Sequence, residues 1–358
     1  MIIDIVKVFV PAVGAFMLGI LLTPFLTNYL YSHRMWKKKG GKTALDGTEA
    51  VVFNGLHKEK EVNTPRMGGI IIWLSSSVII VGIWILSKFF PSDTMMKLDF
   101  LSRSQTWVPL GTLILGALVG LIDDYLEIRG SKNGSFSGGL SLKKRLLVVS
   151  VVSLAVGWWF YEKLDVVGIG MPFGLGELHL GIFFILLFLL TTLFIYAGGV
   201  IDGLDGLAGG VFTTMFAAYG GIAFYQQQID LAAFCAAVAG GLLAFLWFNI
   251  PPARFYMSET GTMGLTITLT VVAFMTDRLG EGYGFLVLPI IALPLVITVA
   301  SNVLQVFSKK FRGKKLFRVA PLHHHFEAIG WPAYKVTMRY WVFSLICAIA
   351  GISLALIG

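Results

Sequence analysis

Five acidic side chains stand where solubility does not explain them. Asp123 and Asp124 close a long apolar run in LIDDY, Asp202 and Asp205 lie among glycines in GGVIDGLDGLAGG, and Glu259 follows Asn249 in WFNIPPARFYMSETG. Three consecutive histidines, His323, His324 and His325, sit in KKLFRVAPLHHHFE. Ionisable groups at membrane depth are costly and usually functional. Adjacent like charges at a helix C-terminus are disfavoured by each other and by the helix dipole, and a bound cation relieves both penalties. Carboxylates with no cysteine beside them suit a hard, oxygen-preferring ion such as Mg²⁺. The plainer reading of the aspartate pair alone is a solvated helix end.

In the DGLDG segment, glycine lets a backbone approach a ligand closely, and a helix starting there would present N–H groups to a phosphate. A glycine-rich turn between packed helices is the competing reading, but it leaves the two aspartates unexplained. Histidine is a frequent metal ligand. Three neighbours on one short segment rarely all reach one ion, however, so hydrogen bonding to a diphosphate, helped by Lys314, Lys315 and Arg318, is preferred. Lys143, Lys144 and Arg145 read as membrane-edge anchors or as phosphate binders. His33, His57 and His179 read as ordinary loop residues, and Cys235 and Cys347 as free buried thiols.

The elements that must position these groups are membrane helices. Of 358 residues, 56% are hydrophobic and only 13% charged, too little charge for a soluble surface of this size. A span needs about 20 mostly apolar residues. Ten such stretches centre near Met17, Ile79, Leu115, Leu154, Leu187, Phe216, Gly240, Ile267, Leu295 and Ala348. The first lacks a basic flank and reads as a span, not a cleaved signal. Pro289 and Pro294 predict a broken ninth span. No soluble domain is visible, so residues 1–358 read as one membrane domain.

The net charge of +8 fits basic loops facing anionic lipid better than nucleic-acid binding. Of the 28 Lys and Arg residues, 22 fall in odd-numbered loops and 5 in even-numbered ones. The positive-inside rule then puts the odd loops in the cytoplasm and both termini outside. Every chemistry-bearing motif falls on the cytoplasmic side, an agreement that random placement would rarely produce.

Five motifs together resemble the phospho-N-acetylmuramoyl-pentapeptide transferase family (translocase I), within the polyprenyl-phosphate N-acetylhexosamine-1-phosphate transferases. They are TPRMGG (64–69), DDY (123–125), DGLDGLA (202–208), FLWFN (245–249) and LFRVAPLHHHFE (316–327). The resemblance implies an all-α polytopic protein of the bacterial inner membrane, with ten transmembrane helices and a cytoplasmic-face active site. It implies transfer of phospho-MurNAc-pentapeptide from UDP-MurNAc-pentapeptide to undecaprenyl phosphate, with release of UMP, a requirement for Mg²⁺, and a homodimer.

By the same resemblance, Asp123, Asp124, Asp202 and His324 carry catalysis. Leu204, Asp205, Asn249 and Tyr256 form the nucleoside pocket, and Arg145, His323 and His325 contact the substrate. Glu259 and Asp205 hold the metal. Three positions depart from the family pattern: Glu259 stands where an aspartate is usual, Gly199 where an asparagine is usual, and Arg145 where a lysine is usual. The competing readings are a sibling transferase using UDP-N-acetylglucosamine and a catalytically degenerate homologue.

Overall fold

The computed structural model describes residues 2–38, 40–41, 54–55, 57, 60–102, 105–130, 139–172, 175–280 and 282–357. Its principal helices are α1 (Ile2–Ser32), α2 (Ile70–Phe89), α3 (Trp107–Arg129), α4 (Leu142–Lys163), α5 (Phe183–Ala197), α6 (Leu207–Tyr225) and α7 (Ile229–Asn249). They continue as α8 (Ser258–Met275), α9 (Gly284–Ile291), α10 (Leu293–Arg312), α11 (Leu322–Ala328) and α12 (Ala333–Ile357). A short hairpin of β1 (Gly168–Met171) and β2 (Gly176–His179) lies between α4 and α5, with Gly168 opposite His179.

Among the described residues, eight helices are long and apolar enough to cross a membrane. A bent pair, α9 with α10, makes a ninth. Their axes differ by 65°, and the break at Ala292 precedes Pro294, which cannot donate the hydrogen bond a continuous helix needs there. The count of ten from the sequence therefore exceeds the structure's apolar spans by one. The difference is α8. Its first turn carries Glu259, and Thr260, Thr262, Thr266, Thr268 and Thr270 dilute its apolar character. Packing replaces the missing hydrophobicity: α8 is almost entirely buried by its neighbours. Thr262, Thr266 and Thr270 return their hydroxyls to carbonyls four residues back, and Thr268 meets Thr112 of α3 at 3.2 Å.

The core is built around this helix. α3 packs along α8, α5 crosses it, and α7 is sandwiched between α1, α2 and α6, with α12 covering α6. The α3–α8 crossing is close because glycine permits it. A Cβ at Gly120 would lie 2.0 Å from the Glu259 carbonyl oxygen, an impossible approach for any side chain. Consequently the C-terminal half of α3, with Asp123 and Asp124, is pressed against the first turn of α8, with Glu259.

At the far end of α8, Asp277 accepts hydrogen bonds from Gly170 N–H at 2.7 Å and Phe285 N–H at 3.0 Å. This pins the hairpin, an element the sequence reading did not expect, to the bundle end opposite the acidic groups.

Candidate active site

One end of the bundle collects the C-terminal part of α3, the start of α4, the turn between α5 and α6, the segment joining α7 to α8, and α11. All but α11, together with Val299, Asn302 and Val303 of α10, line a cleft of about 540 Å³. Arg145, Asp202, Leu204, Asp205, Tyr256 and Glu259 all line it, as do Lys37, His57, Arg66 and Glu127.

Arg145 is the hub on one wall. Its guanidinium reaches Glu259 Oε1 at 2.7 Å and Asp123 Oδ2 at 3.1 Å, and its Nε donates to the Leu140 carbonyl at 3.0 Å. The Leu140 N–H donates to Asp123 Oδ1. Asp123 is fully buried, so it meets the cleft only through the Arg145 side chain in front of it.

Asp124 is equally buried and is held by α8. Its Oδ2 accepts from Thr260 N–H at 2.9 Å and Thr260 Oγ1 at 2.6 Å, while Arg66 Nε approaches Oδ1 at 3.3 Å. Asp202 Oδ2 accepts the Ser258 N–H at 2.8 Å. Two carboxylates thus take up N–H groups at the positive end of the α8 dipole, which favours anions there. The penalty expected for aspartates near the C-terminus of α3 is offset by the N-terminus of a second helix.

Arg66 Nη2 also pairs with Glu127 Oε2 at 3.0 Å, and Lys37 Nζ with Glu127 Oε1 at 2.9 Å. Burial disfavours the Arg66 guanidinium, but Asp124, Glu127, Asp202 and Glu259 outweigh it and raise its pKa above the ordinary arginine value.

The DGLDG turn is fixed from behind. Asn249 Oδ1 accepts from Gly206 N–H at 2.9 Å, and its Nδ2 donates to the Phe255 carbonyl at 2.8 Å. Both ends of the Asn249 amide are therefore used within the protein. The residue is buried and lies behind the cleft wall, not on it. Trp341 Nε1 donates to the Gly206 carbonyl, and Thr337 Oγ1 to that of Asp205, each at 3.0 Å.

Gly203 lets the histidines in. A Cβ there would sit 2.4 Å from His323 Nε2 and 2.8 Å from His324 Nε2. His323 and His324 are buried beneath the turn, and His325 faces outward, its Nδ1 accepting from Arg318 N–H at 3.2 Å.

Besides Asn249, a second residue differs from its reading in the sequence. His57, taken for an ordinary loop histidine, places Nε2 2.9 Å from Glu327 Oε2, and His324 Nδ1 reaches the same oxygen at 2.8 Å. Burial works against the Glu327 carboxylate, yet these two hydrogen bonds pull its pKa down to about 2. Lys37, Glu127 and Thr260 were also missed. Their side chains carry no signal apart from their partners, whereas Arg66 stands inside the TPRMGG motif.

The carboxylates of Asp123, Asp124, Glu127, Asp202, Asp205 and Glu259 gather at this end of the bundle with no cysteine beside them among the described residues, and Glu259 lines the open cleft. That oxygen-only donor set fits Mg²⁺.

Comparison with known proteins gives the family. The chain is 32% identical to the phospho-N-acetylmuramoyl-pentapeptide-transferase of Chloroflexus aurantiacus, over 99% of this chain and 91% of that one. It belongs to this transferase family. It is 34% identical to the family's Listeria innocua member over 82% of this chain and 85% of that one. The Levilactobacillus brevis member is 33% identical over the same shares. Residues 106–277, from α3 through α8, also match glycosyl transferase family 4. That span contains Asp123, Asp124, Arg145, Asp202 and Glu259, while His57 and the three histidines lie outside it.

Proposed function

We propose that this protein transfers phospho-MurNAc-pentapeptide from UDP-MurNAc-pentapeptide to undecaprenyl phosphate, giving the lipid-linked monosaccharide and UMP. The observation that carries the reading is the cleft itself. Carboxylates from α3, the DGLDG turn and α8 meet two arginines there, in a chain whose family carries this activity by name. Phosphoryl transfer asks for positioning and charge neutralisation more than covalent chemistry, and the cleft supplies both.

Asp123 takes the proton of the lipid phosphate once Arg145, which stands in front of it, turns from it onto the incoming phosphates. A lipid phosphate oxygen attacks the β-phosphorus of the nucleotide sugar, a new P–O bond forms, and the bond to the α-phosphate oxygen breaks as UMP leaves. Arg145, already between Asp123 and Glu259, neutralises charge as it develops. Tyr256, Leu204 and Asp205 line the part of the cleft that would hold the uridine. Glu259, with Asp202 or Asp205 from the turn, would hold Mg²⁺, which when bound neutralises diphosphate charge. Gly199 leaves room beside Thr262, since a Cβ there would approach Thr262 Cβ at 3.3 Å.

We further propose that α8 crosses the membrane with the nine apolar spans, giving ten, and that both termini lie outside. The distribution of basic residues supports this orientation. It puts the cleft at the cytoplasmic face of the bacterial inner membrane, where a soluble nucleotide and a membrane lipid can meet.

The test is UMP release by the purified protein with Mg²⁺ and undecaprenyl phosphate, offering UDP-MurNAc-pentapeptide and UDP-N-acetylglucosamine in parallel. Release with the first donor only is the expected result. Release with the second only would move the protein to the sibling activity. Release with neither, in a protein that still binds uridine nucleotides, would point to a degenerate homologue.

A further inference from the structure

We propose that His57, His324 and Glu327 form a binding site for a transition-metal ion, with Zn²⁺ as its best fit, separate from the carboxylate set of the cleft. One ligand atom from each residue, two imidazole nitrogens and one carboxylate oxygen, lies within 4.8 Å of the other two. The shorter separations, 2.8 and 2.9 Å, are below the roughly 3.4 Å between ligands around a tetrahedral zinc with bonds of about 2.0–2.1 Å. Seating the ion needs Glu327 to part from each imidazole by about half an ångström, with the two imidazole nitrogens, within 4.8 Å of each other, settling at a similar spacing. Two histidines and a glutamate with a fourth position open are a common zinc ligand set.

The chemistry separates this site from the acidic one. Imidazole suits zinc, nickel and cobalt, whereas Mg²⁺ prefers oxygen. The ligands come from two parts of the chain far apart in sequence. His324 and Glu327 stand one turn apart on α11, and His57 arrives from the segment between α1 and α2. Burial favours a defined site: the side chains of His57, His324 and Glu327 are 12%, 3% and 9% exposed. The His57 and His324 rings stand 4.9 Å apart, centre to centre. The other nitrogen of His324 lies against Gly203, whose missing side chain leaves the ring its place.

The ion would tie the segment carrying Lys37, His57 and Arg66 to α11. All three residues line the cleft, so occupancy fastens one wall of it. The binding claim is independent of which nucleotide sugar the cleft accepts.

The experiment uses the full chain, purified in detergent, freed of any affinity tag and stripped of metal by chelation. Zn²⁺ is titrated with Mg²⁺ in saturating excess, and bound zinc is measured by dialysis and elemental analysis. The expected result is one zinc per chain, with binding at least tenfold weaker in His57→Gln and in Glu327→Gln. X-ray absorption of the zinc-loaded wild type should show two imidazole nitrogens, and it decides the matter should either variant fail to fold. No retained zinc, zinc displaced by Mg²⁺, binding unchanged in both variants, or a zinc spectrum without imidazole would each overturn the proposal.

Discussion

Arg145 and Glu259 form a 2.7 Å ion pair that joins the first turn of α4 to the first turn of α8 at the edge of the cleft. The longer acid and the planar guanidinium suit one another. Glu259 reaches one methylene further than an aspartate, and Arg145 spans to Asp123 at the same time. Where lysine and aspartate are usual, this chain carries a larger pair at both positions.

That pairing makes Glu259→Gln and Glu259→Asp informative together. Glutamine keeps the length and removes the charge. Turnover should fall roughly 10²–10³-fold, the usual size of losing one preorganised electrostatic partner, and the Mg²⁺ concentration for half activity should rise. Aspartate keeps the charge, shortens the reach and loosens the contact with Arg145, so its turnover should stay within about tenfold of wild type. Mg²⁺ titration of UMP release measures both. Equal activity in the glutamine variant and the wild type would remove Glu259 from the metal's environment.

Asp123→Asn should abolish UMP release while leaving nucleotide-sugar binding largely intact, because Asp123 lies behind Arg145 and does not line the cleft. Binding by calorimetry and turnover by UMP release separate the two effects. Retained turnover would rule out its role with the lipid phosphate.

Much of this site was legible in the sequence because charge stands out against an apolar background. Asp123, Asp124 and Glu259 interrupt hydrophobic runs, and Asp202 and Asp205 punctuate glycines. The spans were legible for the same reason, and the two prolines foretold the break between α9 and α10. The apolar stretch of α8 stands out in the sequence, but its threonines lower its hydropathy, and only packing shows how a threonine-rich helix is buried. His57 was hidden for the opposite reason. It lies in a long polar segment where a histidine carries no contrast, and its partner Glu327 is 270 positions away. Asn249 was found as a motif residue, but both ends of its amide are engaged inside the protein, which no pattern of residues along the chain records.

Thr260→Val should destabilise the protein through Asp124. The substitution removes the 2.6 Å hydroxyl contact while leaving a buried carboxylate. A lost hydrogen bond to a charged group costs about 1.5–3 kcal/mol. Thr260→Ser restores the hydroxyl and should recover most of the loss. Thermal unfolding in detergent compares the three, and a valine variant as stable as wild type would contradict the assignment.

Gly120→Ala tests the crossing that brings the acids together. The added methyl meets backbone, the Glu259 carbonyl at 2.0 Å, and a backbone atom cannot rotate aside. Overpacking of this kind typically costs 1–3 kcal/mol. Here it should also move Glu259 away from Asp124, so activity should fall further than stability alone explains. Alanine at Gly111, where a Cβ meets nothing within 4 Å, is the control on the same helix and should leave both properties near wild type.

Asn249 offers a test in which the smaller change in shape should do the greater harm. Asn249→Asp is nearly isosteric and keeps an oxygen for the Gly206 N–H. It also turns the donor facing the Phe255 carbonyl into a second oxygen, so two acceptors meet in a site only 2% exposed. Burying an unpaired charge costs more than leaving a neutral polar group unpaired. Asn249→Ala deletes the amide and leaves a space that water can enter to serve both backbone groups. The aspartate variant should therefore unfold at a lower temperature than the alanine variant. Both should raise KM for the nucleotide sugar, since the DGLDG turn loses its anchor, with little change in the Mg²⁺ dependence. A higher unfolding temperature for the aspartate variant would mean that the Phe255 carbonyl is not the partner that matters. A raised Mg²⁺ requirement would mean that Asn249 acts on the metal's ligands and not on the turn.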